Sequence, residues 1–275
     1  VSDLVPARTL WVGCGRLGRR AGAALVGAGG EVHALRRDVS GLPEGFYAVP
    51  ADLAKRADRM LPEVDAMVIT LPPPEAAGGY TTVLRHLAAA LPQLPARTVF
   101  VSSTRVFEGY AGRADPAPVL TEDDAPQPLG ERARSLLDGE QAARDLFGAL
   151  VVRPAGIYGP GRDRMLRTVR EGRPIAHRRR TNRIHEEDLA RILVALLEHP
   201  DPPTLLHAVD EAPARLGEVV THIADRLALP VPPTVEPDPG HGTVMSGALR
   251  KQLFGRLRHP DFRSGYDAML ADLRR

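Results

Sequence analysis

One cysteine, Cys14, stands in 275 residues. That excludes an internal disulfide framework. Lysine is almost as scarce: Lys55 and Lys251 are the only two, so nearly all positive charge is arginine and a catalytic ammonium has two possible sources. No apolar run approaches the ~18–20 residues that a membrane-crossing helix needs, and no charged-then-apolar signal segment is seen at the start. The expectation is a cytoplasmic chain with no membrane partner. Excess charge is missing too. The 36 basic residues against 34 acidic ones leave +2, too balanced for a nucleic-acid partner. No His/Cys/Asp/Glu set has metal-ligand spacing, so no metal is expected. No Gly-x-Ser-x-Gly elbow marks a serine hydrolase. Internal repeats and long linkers are absent, and the length allows one large α/β unit or two modest domains.

What is present in the first half is an alternation of short apolar runs with helical patterns. Strands are expected at Thr9–Gly13, Glu31–Leu35, Phe46–Pro50, Ala66–Thr70, Thr98–Ser102 and Leu150–Arg153. Helices are expected at Leu17–Ala28, Tyr80–Leu91 and Arg132–Phe147, with a Pro-rich loop over Arg113–Leu129. Such alternation predicts a doubly wound parallel sheet with helices on both faces. The second half predicts a helix at Glu186–Glu198, a strand at Leu205–Val209, a helix at Leu216–Leu227 and a loop over Pro230–Gly242. Small helices follow at Ser246–Leu257 and Tyr266–Leu273. The organisation expected is a nucleotide-binding domain over 1–155 and a smaller, interleaved C-terminal substrate lobe over 156–275, with a strand near 204–209 returning to the sheet. Open α/β sheets place ligands at the strands' carboxyl edge, where that lobe is expected.

Gly13-Cys14-Gly15-Arg16-Leu17-Gly18 follows an apolar strand and opens a helix, which gives a GxGxxG its meaning. Gly13 permits the tight turn, Gly15 lets the backbone approach a pyrophosphate, and Gly18 lets helix and strand pack closely. The helix N-terminus then presents N–H groups to the anion. This is the Rossmann fingerprint. The next strand ends in Ala34-Leu35-Arg36-Arg37-Asp38. An acidic side chain there would accept from the ribose 2′-hydroxyl of NAD, whereas guanidinium forks suit the 2′-phosphate of NADP. Arg36 and Arg37, with Arg16 adding a contact, favour NADP, with NAD possible. The alternative is that the pair forms only a solvated turn. Cys14, between two glycines, is expected to pack against neighbouring helix or strand rather than act as a nucleophile.

Further motifs follow in order: Ala51-Asp52-Leu53, Ser102-Ser103-Thr104-Arg105-Val106-Phe107, Arg153-Pro154-Ala155-Gly156-Ile157-Tyr158-Gly159-Pro160-Gly161, Asn182-Arg183-Ile184-His185-Glu186-Glu187-Asp188-Leu189-Ala190, and His259-Pro260-Asp261-Phe262-Arg263-Ser264-Gly265-Tyr266. With the glycine loop they make the chain similar, nearly end to end, to the extended short-chain dehydrogenases/reductases of the NAD-dependent epimerase/dehydratase group. The resemblance implies a cofactor set of Gly13, Gly15, Arg16, Leu17, Gly18, Arg36, Arg37, Asp52, Leu53 and Pro154, with Asp52 toward adenine. It implies Ser103, or its neighbour Thr104, as the group on the reacting oxygen; the alternative is that Ser103 only satisfies backbone groups at the strand end.

The family's Tyr-x-x-x-Lys pair has no match. None of Tyr47, Tyr80, Tyr110, Tyr158 and Tyr266 has a lysine four residues on. Setting Gly139-Glu140 against the family's Ala-Glu places Arg132 at the tyrosine position and Leu136 at the lysine position, with Ser135 retained. Arginine hardly deprotonates, so Arg132 reads as a substrate ligand, together with Asn182 and Arg183. His185 is a candidate proton donor, since its pKa can lie near neutrality; alternatively it caps or packs the helix after it. Tyr158 is a second candidate donor, or a structural tyrosine in its turn. Asp188 reads as structural. Arg178-Arg179-Arg180 faces an anionic substrate group or is a solvated run.

The leading expectation is an NADP-dependent oxidoreductase of atypical short-chain type, acting as monomer or homodimer on a small carbonyl or hydroxyl compound. The alternatives are an NAD(P)-dependent epimerase/dehydratase of a sugar-like or secondary-metabolite substrate, which needs a competent acid/base twice per turnover, and a non-catalytic NAD(P)-binding sensor or interaction protein.

Overall fold

The computed structural model describes residues 6–112, 117–238 and 242–273. Residues 113–116 and 239–241, parts of the two expected loops, lie outside the described residues. In chain order the elements are β1 (Arg8–Val12), α1 (Arg16–Gly27), β2 (Glu31–Arg36), β3 (Phe46–Pro50), β4 (Ala66–Ile69), α2 (Gly79–Ala90), β5 (Arg97–Val101) and a 3₁₀ turn at Thr104–Tyr110. β6 (Val119–Leu120), α3 (Glu131–Phe147), β7 (Leu150–Pro154), β8 (Gly156–Tyr158), α4 (Arg164–Arg170), β9 (Arg180–Thr181) and β10 (Arg183–His185) follow. The chain continues with α5 (Glu186–Glu198), β11 (Leu205–Ala208), β12 (Ala214–Arg215), α6 (Leu216–Leu227), β13 (Val244–Met245), α7 (Ala248–Phe254) and α8 (Phe262–Asp272). Among the described residues, no helix is long and apolar enough to cross a membrane.

Seven strands form one sheet in the order β11-β7-β5-β4-β1-β2-β3. The pairs from β7 to β3 are parallel. β4 and β7 are buried along their whole length, as central strands covered on both faces must be, while the edge strand β3 exposes most of its residues. From β1 the chain first builds outward through β2 and β3, then continues on β1's other side with β4. This reversal makes the carboxyl end of β1 the topological switch point.

Two compact units divide the chain. The first takes residues up to Val106, Leu129–Arg153 and Ala190–Leu206. Its core packs Leu10, Val12, Met67, Ile69 and Phe100 of the sheet with Leu84 and Leu87 of α2 and Ala143 and Phe147 of α3. Gly139 lets α3 come in closely, since a Cβ there would lie 2.7 Å from the Tyr80 ring and 2.9 Å from Phe100. The second unit takes Phe107–Pro128, Pro154–Leu189 and the chain from His207 on. Tyr158, Leu166, Val169, Val219, Ile223, Phe262, Tyr266 and Met269 form its core.

The expected elements of the first half are present to within one residue at most ends. The second half departs more. α8 starts at Phe262, four residues before its expected start, because Asp261 caps it: Asp261 Oδ1 accepts the Ser264 N–H at 2.8 Å and Ser264 answers through a capping box. α4, the 3₁₀ turn and the short strands β6, β8–β10, β12 and β13 were not expected. Pairings of two or three residues carry no periodicity for a sequence pattern to show.

Candidate functional site

The glycine loop leaves β1 through Gly13, whose φ of +79° is a left-handed conformation that suits glycine. Its N–H donates to Leu35 O at 2.9 Å, tying the loop to β2. Behind it, Thr70 Oγ1 donates to Gly13 O at 2.8 Å and accepts from Trp11 Nε1 at 3.0 Å. Trp11 also explains Gly18, where a Cβ would stand 2.6 Å from Trp11 Nε1 and 3.0 Å from Cys14 Sγ. Cys14 is fully buried, and burial pushes its thiol up to about 11, which leaves it protonated and unreactive near neutral pH. Gly15 is different: a Cβ there would meet only Gly13 O, at 3.9 Å. No side chain caps α1 at Gly15, so the helix N-terminus opens toward this uncrowded glycine.

Arg36 ends β2 half-buried and donates from Nη1 to Cys14 O at 3.2 Å, so one arm of its fork braces the loop. Arg37 and Asp38 are exposed beside it. Hydrogen bonds from Ser40 hold the Asp38 carboxyl below the usual carboxylate range. Asp52 is exposed after β3, its Oδ1 accepting the Ala54 N–H at 3.2 Å, and Leu53 is buried. A cavity of about 730 Å³ has Gly13, Gly15, Arg36, Arg37, Asp52 and Leu53 in its wall. Three segments separated in sequence therefore face one space. Leu71–Pro74, after β4, completes the wall. A larger hollow of about 840 Å³ reaches Asp52 from the side of Lys55, Arg56 and Arg59 but holds none of the glycine loop. Arg16 and Leu17 lie in the first turn of α1, and Pro154 is buried at the end of β7.

Past β5, the paired serines do different work. Ser102 is buried and its Oγ donates to Glu140 Oε1 at 2.6 Å. Glu140 also accepts from Arg153 Nε at 2.9 Å and Nη2 at 2.7 Å, a bidentate pair inside the first unit. Ser103 is half-exposed and its Oγ accepts the Arg105 N–H at 3.2 Å, which leaves the hydroxyl hydrogen available to a further acceptor. Thr104 opens the 3₁₀ turn. On α3, Arg132 is exposed and Leu136 buried one turn later.

In the second unit, Tyr158 is buried and donates to Asp261 O at 3.3 Å. Burial pushes its phenol far above the ordinary tyrosine range. Arg183 is buried, hydrogen-bonded to Thr181 Oγ1, with its guanidinium 5.6 Å from the centre of the Phe262 ring. Asn182 uses both ends of its amide, donating to Thr243 O at 2.8 Å and accepting the Met245 N–H at 2.8 Å. His185 is buried, and its Nδ1 accepts the Glu187 N–H at 3.3 Å in the first turn of α5. Arg178 and Arg179 are exposed, while Arg180 lies half-buried in β9.

The sequence profile of the RmlD substrate binding domain matches residues 80–242. The chain belongs to the RmlD substrate-binding family, within the extended short-chain dehydrogenases/reductases. The dTDP-4-dehydrorhamnose reductase of Mycobacterium tuberculosis is 37% identical over 136 residues, 46% of this chain and 44% of that protein, so the match spans less than half of that relative's length. A 3-diazoavenalumate denitrifying reductase of Streptomyces sp is 31% identical over 250 residues, covering 78% of this chain and 80% of that one. A solved structure from Methylobacillus flagellatus, assigned to the NAD-dependent epimerases/dehydratases, superposes with a TM-score of 0.82 at 28% identity, covering 98% of this chain and 99% of that one.

For this RmlD-type chain, the sequence singled out residues of three segments that line one cavity. It missed the Leu71–Pro74 wall, for which the run of three prolines after β4 was the available signal. The Ser102–Glu140–Arg153 network was missed as well, because its members lie 13 and 38 residues apart, just past β5, in α3 and in β7. No metal-ligating set was expected from linear spacing; in the structure His185, Glu187 and His259 offer ligand atoms within 4.8 Å of one another. Linear spacing could not show this, since Glu187 and His259 are 72 residues apart.

Proposed function

We propose that this chain is an NADP-dependent oxidoreductase that reduces a carbonyl on a sugar-like, nucleotide-linked small molecule. The observation that supports the reading best is the single cavity faced by the glycine loop, the Arg36–Arg37 pair and Asp52–Leu53. Its residues fit the cofactor. Gly15 leaves the space a pyrophosphate needs, and Arg36 still has guanidinium N–H groups beyond the one it gives to Cys14 O. Arg36 and Arg37 hold the 2′-phosphate in this assignment, and Asp52 faces adenine. When bound, NADPH supplies the hydride that becomes the new C–H bond.

The chain's own part in the chemistry falls to Ser103. Its O–H donates to the carbonyl oxygen and stabilises the charge that develops there. Thr104 stands next to it as a second hydroxyl. The oxygen's proton comes through this hydroxyl from water. Arg132, exposed and permanently charged, holds an anionic group of the substrate. Tyr158, His185, Asn182 and Arg183 are read as the frame of the second unit, because each is occupied there by packing or hydrogen bonds.

The test is NADPH oxidation by the purified chain against a panel of 4-keto sugar nucleotides that includes dTDP-4-dehydrorhamnose. Turnover with NADPH exceeding that with NADH is expected for at least one member. NADPH binding without turnover on any member would favour the non-catalytic sensor. Replacing both Arg36 and Arg37 with alanine should reduce the NADPH-over-NADH preference roughly tenfold or more, since a charge-assisted contact contributes about 1.5–3 kcal/mol. An equal loss for both cofactors would make the pair only a solvated turn. Ser103→Ala should lower turnover by roughly twofold to tenfold, the weight of one hydrogen bond of about 0.5–1.5 kcal/mol, with the Km for NADPH unchanged.

A further inference from the structure

We propose that His185, Glu187 and His259 form a binding site for a divalent transition-metal ion of the zinc type. The site lies within the second unit and does not depend on the reductase reading. His185 closes β10 and Glu187 sits in the first turn of α5. His259 arrives from the segment between α7 and α8. Asp188 sets its position: the carboxylate accepts the Arg258 N–H at 2.8 Å and the His259 N–H at 2.9 Å. This anchors the backbone so that the His259 ring lies 3.9 Å from the His185 ring, centre to centre.

The donor chemistry suits zinc. Two imidazoles and one carboxylate make the nitrogen and oxygen set of many three-ligand zinc sites, with a fourth position left to water. A neutral imidazole has one lone pair, and that of His185 is engaged at Nδ1 by the Glu187 N–H at 3.3 Å, so the ion either replaces this N–H at Nδ1 or binds Nε2 with the proton moved to Nδ1; either way that long contact is given up. Spacing agrees along one edge. Bonds of about 2.0–2.2 Å in a tetrahedron put neighbouring ligand atoms roughly 3.3–3.6 Å apart, and His259 Nε2 lies 3.3 Å from Glu187 Oε2. One atom from each of the three residues falls within 4.8 Å of the others, so closure takes side-chain adjustment of about an ångström. Two imidazole rings packed this closely beside a carboxylate bring three donor groups to one place, a favourable setting for a cation.

Access runs along Glu187, which is partly exposed, while the two histidines are buried. The competitor is Arg258, whose Nη1 holds Glu187 Oε1 at 2.5 Å but whose side chain is 65% exposed and free to swing into solvent. A bound ion would join the start of α5 to the segment that leads into α8. The rival account is a proton-held clip in which His259 and Glu187 pair without a metal.

The experiment uses the whole chain without a histidine tag, stripped with a chelator and titrated with zinc chloride by calorimetry and by equilibrium dialysis with metal analysis. One zinc per chain is expected, with a rise in melting temperature. Cobalt in its place should give the visible absorption of a tetrahedral nitrogen/oxygen site. Glu187→Gln and His259→Gln, checked for folding by circular dichroism, should each weaken zinc binding by at least about tenfold. Arg258→Ala, which touches no ligand atom other than by freeing Glu187, should tighten it. No zinc bound at stoichiometric concentration, or binding left unchanged by Glu187→Gln and by Arg258→Ala, overturns the site and leaves the proton-held clip.

Discussion

Replacing Gly15 with aspartate is expected to remove dinucleotide binding while leaving the fold intact. Both halves follow from the loop. Gly15 has φ −86°, a conformation open to residues with a side chain, and a Cβ there meets only Gly13 O at 3.9 Å. The side chain therefore projects into the cavity rather than into the protein. In the proposed cofactor assignment its carboxylate would face the pyrophosphate. Two like charges about 4 Å apart near a protein surface repel by roughly 4 kcal/mol, and each ~1.4 kcal/mol is tenfold in affinity. The dissociation constant for NADPH should rise roughly a hundredfold to a thousandfold by calorimetry, with the melting temperature of the free chain unmoved. Undiminished affinity would remove the phosphate from this loop and with it the proposed cofactor. Gly18 would be a poor choice for the same test, because a Cβ there strikes Trp11 and would confound binding with folding.

Glu140→Gln should cost the most stability. Glu140 is 1% exposed and accepts three hydrogen bonds, from Ser102 Oγ and from two nitrogens of Arg153, itself 3% exposed. The amide keeps the shape but removes the charge, and it turns one acceptor into a donor that faces a guanidinium. Arg153 is then a buried cation without its counter-ion. Removing one partner of a buried pair costs about 3–5 kcal/mol. At roughly 2–4 °C per kcal/mol for a chain near this size, the melting temperature should fall by roughly 6–20 °C. A drop of a degree or less would show that the pair merely breaks even against its desolvation. The network also anchors Ser102, next to Ser103, so a residual activity with weakened substrate binding is expected where the protein still folds.

The glycine loop was legible in the sequence because its determinants are local. A glycine loop needs only a strand before it and a helix after it, and Gly13 to Gly18 supply both within a few residues. The parallel sheet was legible for a related reason: strands covered on both faces are mostly apolar, and Ala66–Ile69 in β4, Val99–Val101 in β5 and Leu150–Val152 in β7 are short apolar runs. What sequence spacing could not show is which distant side chains meet. Ser103 and His185 both looked like reactive groups by their motifs. Only the fold shows that Ser103 retains a donor while His185 caps α5 and lies against His259. Asn182 and Arg183 looked like ligands, and the tertiary structure occupies them within the second unit. Sequence thus determined the fold class and the glycine turn between β1 and α1, because backbone turns and burial patterns are written in neighbouring residues. Tertiary structure alone decided the Glu140–Arg153 pair and the His185–Glu187–His259 cluster, because a buried charge or a shared ligand position depends on separations in space that no linear period encodes.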